Sequence, residues 1–336
     1  MSIWKIISVG TLAGCFALLS CSGRDKQSAA TSGAEAAPRQ ELLGSFNADS
    51  AYKYIAEQVA FGPRVTGTEP HKAAAEYLID KLGGFADTIT VQNGIVQNYK
   101  GEKLPITNII AGFRPDMPRR IVLAAHWDTR PWADQSQGSD DRLKPVPGAN
   151  DGGSGVGVLL EIARQLSQKP ANVGVDIILF DAEDCGKSDG FDPAEETWCL
   201  GSQYWAEHMM PYTAKNLPVY GILLDMVGGK DARFYYDLFS TQNASTPCVK
   251  IWSEAEALGH GAVFPRSVGG VITDDHIFMT RAGIPTADII ELHNEETGTF
   301  PPYWHTVHDT MDNISKTTLQ TVGDVVLNVV YKEKRF

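Results

Sequence analysis

The chain has 336 residues, 43% of them hydrophobic and 21% charged, which is the composition of a globular protein long enough for one large domain or two ordinary ones. Its formal net charge is -12, and no basic run stands anywhere along it. Nothing could neutralise a nucleic-acid backbone, so nucleic acid is excluded as a partner.

Residues 1–20 carry a single charge, Lys5, ahead of the apolar stretch 6–19. That stretch is too short for a comfortable membrane span and has the layout of a secretory signal. Leu18-Leu19-Ser20-Cys21 resembles the lipobox of bacterial lipoproteins. The resemblance implies a chain lipidated at Cys21 and anchored to a membrane of the bacterial cell envelope, facing the periplasm. Residues 21–40 are rich in Ser, Ala and Gly and read as a flexible tether. Residues 41–336 contain no internal repeat and no linker, so one catalytic domain is the simplest account.

Within that domain, two helical stretches occupy 51–84 and are broken by a Gly- and Pro-punctuated loop at 61–67. Short β-branched runs at 88–96, 107–113 and 121–125 predict strands; the third is apolar throughout, as a central strand should be. A helix over 156–166 follows a glycine cluster, then come a strand at 175–180, a helix at 200–209 and a strand at 220–224. Helices at 247–258 and 275–282, a strand at 284–290 and a helix at 316–331 complete the chain. This alternation predicts an α/β fold, a single-domain three-layer α/β/α sandwich with a central mixed, mostly parallel sheet. In such sheets the site gathers at the strand carboxyl ends, where His126, Asp181 to Asp184, Asp225 and Glu291 all fall.

His126 and Asp128 stand two apart just past a buried strand, so their side chains point the same way and Asp128 can brace a metal-facing His126. Gly148-Ala-Asn-Asp151-Gly-Gly-Ser-Gly155 places a carboxylate at the mouth of a helix. Its glycines have neither the spacing of a dinucleotide fingerprint nor the lysine of a P-loop. Asp184, Asp225 and His305 each close or follow an apolar run, and Glu183 sits directly beside Asp184. Imidazole and carboxylate in this assortment suit zinc, with the adjacent glutamate as a base.

His126-Trp-Asp128, Gly-Ala-Asn-Asp151, Phe-Asp-Ala-Glu183-Asp184, Leu-Leu-Asp225 and Trp304-His305-Thr306 occur in the order found in the co-catalytic zinc aminopeptidases and their relatives, the secreted glutaminyl-peptide cyclotransferases. The resemblance spans roughly residues 45–335 and implies a zinc aminopeptidase-like fold. In an aminopeptidase two zinc ions would share Asp151, with His126 and Asp225 on one and Asp184 and His305 on the other, and Glu183 would deprotonate a bridging water. In a cyclotransferase one zinc would be held by Asp151, Asp184 and His305, and Glu183 would shuttle a proton. Asp225 would then be an acid partner in a hydrogen-bond network, and His126 would stand behind the site with Asp128. Thr273-Asp-Asp275-His-Ile277 resembles the cyclotransferase Asp-Asp-His segment, whose second aspartate, here Asp275, hydrogen-bonds in the active site. Phe300-Pro-Pro-Tyr-Trp304-His305 resembles that branch's pocket-lining run. The expectation is therefore a glutaminyl cyclase acting on peptides or proteins with N-terminal glutamine, with Asp225 and Asp275 raising the Glu183 pKa by like charge. The alternatives are a two-zinc aminopeptidase and a catalytically silent peptide-binding lipoprotein, the last disfavoured by the intact Glu183 and full ligand set.

Two departures stand out: Asp184 occupies a position where relatives often carry glutamate, and the polar insertion 186–198 has no assigned counterpart. Its acids read as solvated or as a weak calcium site. Trp198 and Trp132 are rim candidates for the substrate pocket, and His308 is a second late histidine. Cys185 and Cys199 flank the insertion and either bridge to pin its ends or remain two buried thiols.

Overall fold

The computed structural model describes residues 41–188, 196–213 and 216–335. The signal, the tether and Cys21 lie outside them, as do 189–195 of the insertion with Asp189, Asp192 and Glu195.

In chain order the elements are α1 (Ala48–Val59), α2 (Glu69–Gly83), β1 (Thr88–Gln97), β2 (Lys103–Phe113), β3 (Arg120–His126), α3 (Gly153–Gln168), β4 (Gly174–Phe180) and α4 (Leu200–His208). They continue with β5 (Gly221–Asp225), β6 (Tyr236–Asp237), α5 (Leu238–Asn243), α6 (Ser245–Ala257), β7 (Val268–Gly270), α7 (Asp275–Arg281), β8 (Thr286–Ile290) and α8 (Lys316–Lys332). The main sheet runs β1-β2-β4-β3-β5-β8, with β6 and β7 forming a separate two-stranded ribbon. Strands β4, β3, β5 and β8 pair in parallel, and the antiparallel β1–β2 hairpin extends the edge through β2 against β4. The sheet is mixed and mostly parallel, as the alternation of strands and helices predicts.

All seven residues of β3 are buried, because helices cover both faces. The pleat then divides its side chains by parity. Ile121, Leu123 and Ala125 join the core under α1, α3, α6 and α8, with Ile177 and Leu179 of β4 and Ile222 and Leu224 of β5. Val122 and Ala124 face the other layer with Ile178, Leu223, Trp205 of α4 and Met279 of α7. His126 continues the second set in β3, and Asp225 continues it from Leu223 in β5. Two neighbouring parallel strands thus deliver their last side chains to the same layer.

Parts of the structure escape sequence reading. The first four residues of β2 contain Pro105 and pair only with β1 at the edge, so they lack the apolar run of a central strand. The short β6 and α5 lie between predicted elements and carry no periodicity long enough to register. Cys185 and Cys199 are free and buried rather than bridged. Cys185 packs with Ile106 and Leu200, whereas Cys199 packs with Ile277 and Phe278, so the two thiols belong to different apolar clusters.

A buried ion pair fixes the start of the two strands that carry the site. The Arg120 guanidinium donates from Nε to Asp176 Oδ2 at 2.9 Å and from Nη2 to Asp176 Oδ1, joining β3 to β4. Arg120→Met leaves the Asp176 carboxylate, 3% exposed, without its counter-charge. The expected loss is about 3–5 kcal/mol in urea-induced unfolding; a loss below about 1 kcal/mol would show that the pair is dispensable.

Candidate metal centre and active site

His126 and Asp225 meet across the ends of β3 and β5, Nε2 to Oδ1 at 3.1 Å. The same imidazole nitrogen lies 3.1 Å from Oδ1 of Asp151, which precedes α3. On its other oxygen Asp151 faces His305 Nε2 at 3.5 Å, and that nitrogen lies 3.0 Å from Asp184 Oδ1. Two buried triads, His126–Asp151–Asp225 and Asp151–Asp184–His305, therefore share one carboxylate. His305, not the exposed His308, is the late histidine that turns inward.

The glycines around Asp151 serve close approach. A Cβ on Gly155 would lie 2.2 Å from the Leu224 carbonyl oxygen, so only glycine lets α3 sit against the end of β5. Gly152 adopts φ +79°, and a Cβ there would lie 2.5 Å from the Asp128 carbonyl oxygen. Four residues with side chains also take positive φ at this site: Ala182 at 53°, Cys199 at 59°, Met226 at 47° and His305 at 52°. Each such conformation costs on the order of 1–3 kcal/mol, and their clustering marks a place where geometry is imposed by the surroundings.

Much of that geometry comes from carboxylates gripping backbone. Asp128 accepts from the Glu183 N–H at 3.0 Å and from the Asp184 N–H at 3.2 Å, and its Oδ1 lies 3.4 Å from His126 Nδ1. It thus braces His126, as its spacing predicts, and also orients the Glu183-Asp184 dipeptide. Asp309, which sequence reading missed, accepts from the N–H groups of Asn150 and Asp151 at 2.8 and 3.0 Å. Arg64, fully buried, donates to the carbonyls of Trp127 and Gly148 and closes the 61–67 loop over this segment. Arg130 donates to both oxygens of Asp134 and to the Asp184 carbonyl, and Asp134 in turn lies 3.6 Å from His305 Nδ1. None of these carries a local signal beyond its own charge. Asp181, by contrast, is taken up by His71 at 2.9 Å and by the Thr107 N–H, and takes no part in either triad. Glu291 is buried away from both triads and accepts from Asn294; burial pushes its carboxyl up to about 7.

Burial pushes the Glu183 carboxyl well above the ordinary range; Asp184, Asp274 and Asp275 add like charge while His126 opposes them. Asp225 projects from β5 toward His126 on the adjacent strand and lines the same cavity as Glu183. A further neighbour is Cys199, read from the sequence only as a possible partner of Cys185, whose Sγ lies 3.2 Å from Glu183 Oε1 and whose N–H donates to the Glu183 carbonyl. Burial also drives Asp151 up, reinforced by Asp184, whereas at Asp184 His305 and Arg130 outweigh burial and hold the carboxyl at about 2. Burial lowers the His305 pKa, so its neutral ring can offer a lone pair. Asp184 Oδ2 is buried without a hydrogen-bond partner. Convergent carboxylates around neutral imidazole, with an orphaned oxygen among them, fit a divalent cation of the zinc type. Asp151, Asp184 and His305 form one complete donor set for it, and His126, Asp151 and Asp225 form a second.

These groups open on a cavity of about 500 Å3 whose apolar walls include Trp198, Phe300, Trp304 and Ile277. Trp304 stacks on His305 at 3.7 Å and meets Phe300 at 4.3 Å, so the two aromatics form one wall beside a metal-capable ring. Trp198 runs parallel to His305 at 5.9 Å, but its N–H is committed to the Lys187 carbonyl. Trp132 packs under Lys100 away from the cavity. In the Asp-Asp-His segment it is Asp274 that lines the cavity, with Asp275 buried behind it beside Ser202. The reason is local: Asp274 caps α7 with its Oδ1 on the Asp275 N–H, which leaves Oδ2 facing inward while Asp275 starts the helix.

Asp128→Asn replaces one accepting oxygen by an N–H donor that would confront a backbone donor. Zinc affinity, measured by chelator competition, is expected to fall about 10–100-fold, the usual effect of losing a group that orients metal ligands. Unchanged affinity would remove Asp128 from this role.

Comparison with known proteins agrees with this geometry. Residues 108–330 match the model of peptidase family M28. Aminopeptidase YwaD of Bacillus subtilis is 32% identical over 72% of this chain and 47% of its own, so the chain spans about half the length of that relative. The crystal structure of Bacteroides thetaiotaomicron glutaminyl cyclase is 46% identical, with a TM-score of 0.83 over 88% of this chain and 100% of that one. A Zn-dependent exopeptidase from Parabacteroides distasonis is also 46% identical, with a TM-score of 0.82 over 86% of this chain and 99% of that one. With the matched segment running from β2 into α8 and holding both triads, the chain belongs to peptidase family M28.

Proposed function

We propose that this chain is a zinc-dependent glutaminyl cyclase, which converts the N-terminal glutamine of peptides or proteins to pyroglutamate and releases ammonia. The observation that carries the reading is the aromatic wall of Phe300 and Trp304 laid against His305, at the mouth of a cavity in which Glu183 is buried. Such a wall accepts the apolar stem of one side chain and leaves the rest of a peptide outside. The likeness to the Bacteroides glutaminyl cyclase over that protein's full length supports it.

Zinc held by Asp151, Asp184 and His305 would supply Lewis acidity to the γ-carboxamide oxygen. The substrate's α-amine attacks the γ-carbonyl carbon, forming the ring C–N bond. Glu183 accepts the proton that the amine sheds and returns it to the side-chain amide nitrogen as the bond between that nitrogen and the γ-carbon breaks, so ammonia leaves and Glu183 is regenerated. Burial and the nearby Asp184, Asp274 and Asp275 raise its pKa, the direction that suits a carboxylate which both takes up and returns a proton. Trp304 orients the substrate from the wall; among the described residues its N–H has no acceptor and is free for the substrate amide. A two-zinc aminopeptidase is the second reading, favoured by the sharing of Asp151 between two triads and by the likeness to the Bacillus aminopeptidase.

Incubation with a Gln-initiated peptide, read by mass spectrometry, separates the two. Loss of ammonia from an otherwise intact peptide is expected; release of the first residue would establish the peptidase. Glu183→Gln should lower kcat by about 10²–10⁴-fold while zinc content stays at the wild-type value. Residual activity near wild type would end the proton-shuttle role.

The lipobox-like 18–21 segment supports attachment of the chain to the bacterial envelope through Cys21. Cys21→Ala expressed in a bacterial host should move the protein from the membrane to the soluble fraction, and unaltered membrane retention would exclude lipidation as the anchor.

A further inference from the structure

Among the described residues the Glu183 carboxylate has one hydrogen-bond donor, and that donor is a thiol. Cys199 Sγ lies 3.2 Å from Glu183 Oε1. Both side chains are buried, and Glu183 also lines the cavity. Oε1 is therefore held from behind, which leaves Oε2 as the oxygen for a substrate.

Backbone bonds fix that approach. The Cys199 N–H donates to the Glu183 carbonyl at 2.9 Å and the Leu200 N–H to the Ala182 carbonyl at 3.0 Å, so two successive bonds clamp the start of α4 onto residues 182–183. A Cβ on Gly201 would lie 2.0 Å from the Asp181 carbonyl oxygen, so only glycine there lets α4 come this close. Ala182 and Cys199 both take positive φ, 53° and 59°, at this junction. The position of the thiol is thus set by the main chain on both sides of the contact.

The surroundings decide which partner donates. Cys199 packs with Ile277 and Phe278, and burial together with the Glu183 charge drives the thiol well above its ordinary range. It keeps its proton and acts as a donor, not as a nucleophile. An alkyl side chain would fill the same apolar space but would leave Glu183 Oε1 without a donor. Glutamate has three rotatable bonds, and a carboxylate that collects a proton at one atom and delivers it to another works best with one oxygen held still.

We propose that Cys199 is a positioning residue for the proton carrier, its S–H holding Glu183 Oε1 so that Oε2 exchanges protons with the substrate. Cys199 itself touches no reacting atom. The proposal rests on Glu183 as the proton carrier, a role that the cyclase and aminopeptidase readings share.

The test uses the zinc-loaded full chain. Cys199→Ala is expected to lower kcat on a Gln-initiated peptide by about 10–100-fold, with KM and zinc content near wild type. Cys199→Ser carries the same backbone conformation and restores a donor, so it is expected to recover most of that loss. A wild-type kcat in Cys199→Ala, or a Cys199→Ser no better than Cys199→Ala, overturns the proposal. Infrared spectroscopy of the S–H stretch needs neither turnover nor a Cys199 variant. In Glu183→Ala one S–H band is expected to move to higher frequency, as a thiol released from a carboxylate does, while the bands of Cys185 and Cys248 stay in place. Superimposable S–H bands in wild type and Glu183→Ala overturn the proposal. A wild-type chain that turns over no peptide would remove the cyclase reading, and the infrared comparison would still decide whether the thiol holds Glu183.

Discussion

Negative charge held out of water is the constraint around which this structure is organised. Asp151, Glu183, Asp184, Asp225 and Asp274 all line one cavity, while the basic groups within reach are His126, Arg130 and the neutral ring of His305. Removing an ion from water without full compensation costs several kcal/mol, so such a cluster persists only where the scaffold leaves it no alternative. Here the scaffold is a parallel sheet closed by apolar layers on both faces, with the carboxylates at strand ends or next to them. Asp128 and Asp309 then lock the ligand-bearing backbone by accepting its N–H groups.

That arrangement explains what a sequence can and cannot disclose. The central strands were legible because each buried one is an apolar run, and the residues of the two triads were legible because each closes or follows such a run. His126 and Asp225 meet because parity along two parallel neighbours sends them to one face, which is a consequence of local pattern plus register. Asp309, Asp134, Arg130 and Arg64 were not legible. They act through loops on residues far away in the chain, such as the 158-residue separation between Asp151 and Asp309, and a lone Asp or Arg in a loop looks solvated. The Asp274–Asp275 pair shows a finer limit: which of two adjacent acids faces the cavity depends on which one caps α7. The free thiols of Cys185 and Cys199 show another, since the chain between them brings Cys199 to Glu183 rather than to Cys185.

The sharing of the Asp151 carboxylate between two triads does not by itself choose a reaction. Hydrolysis needs an activated water and gains from two metal ions around it. Cyclisation needs no water, because the nucleophile is already part of the substrate and sits a few bonds from the carbon it attacks, an advantage of proximity. For the second reaction the useful parts are a proton carrier and a closed pocket. A buried Glu183 beside Cys199 and Asp274, under an aromatic wall built on His305, provides both.

The most direct test of this account follows the oxygen atom. When a Gln-initiated peptide is turned over in water enriched in the heavy oxygen isotope, attack by the α-amine gives a pyroglutamyl peptide with no label above background. Incorporation of label into the product, whether as glutamate formed from the side chain or as a carboxylate of a released first residue, would mean that water is the nucleophile and would contradict the account.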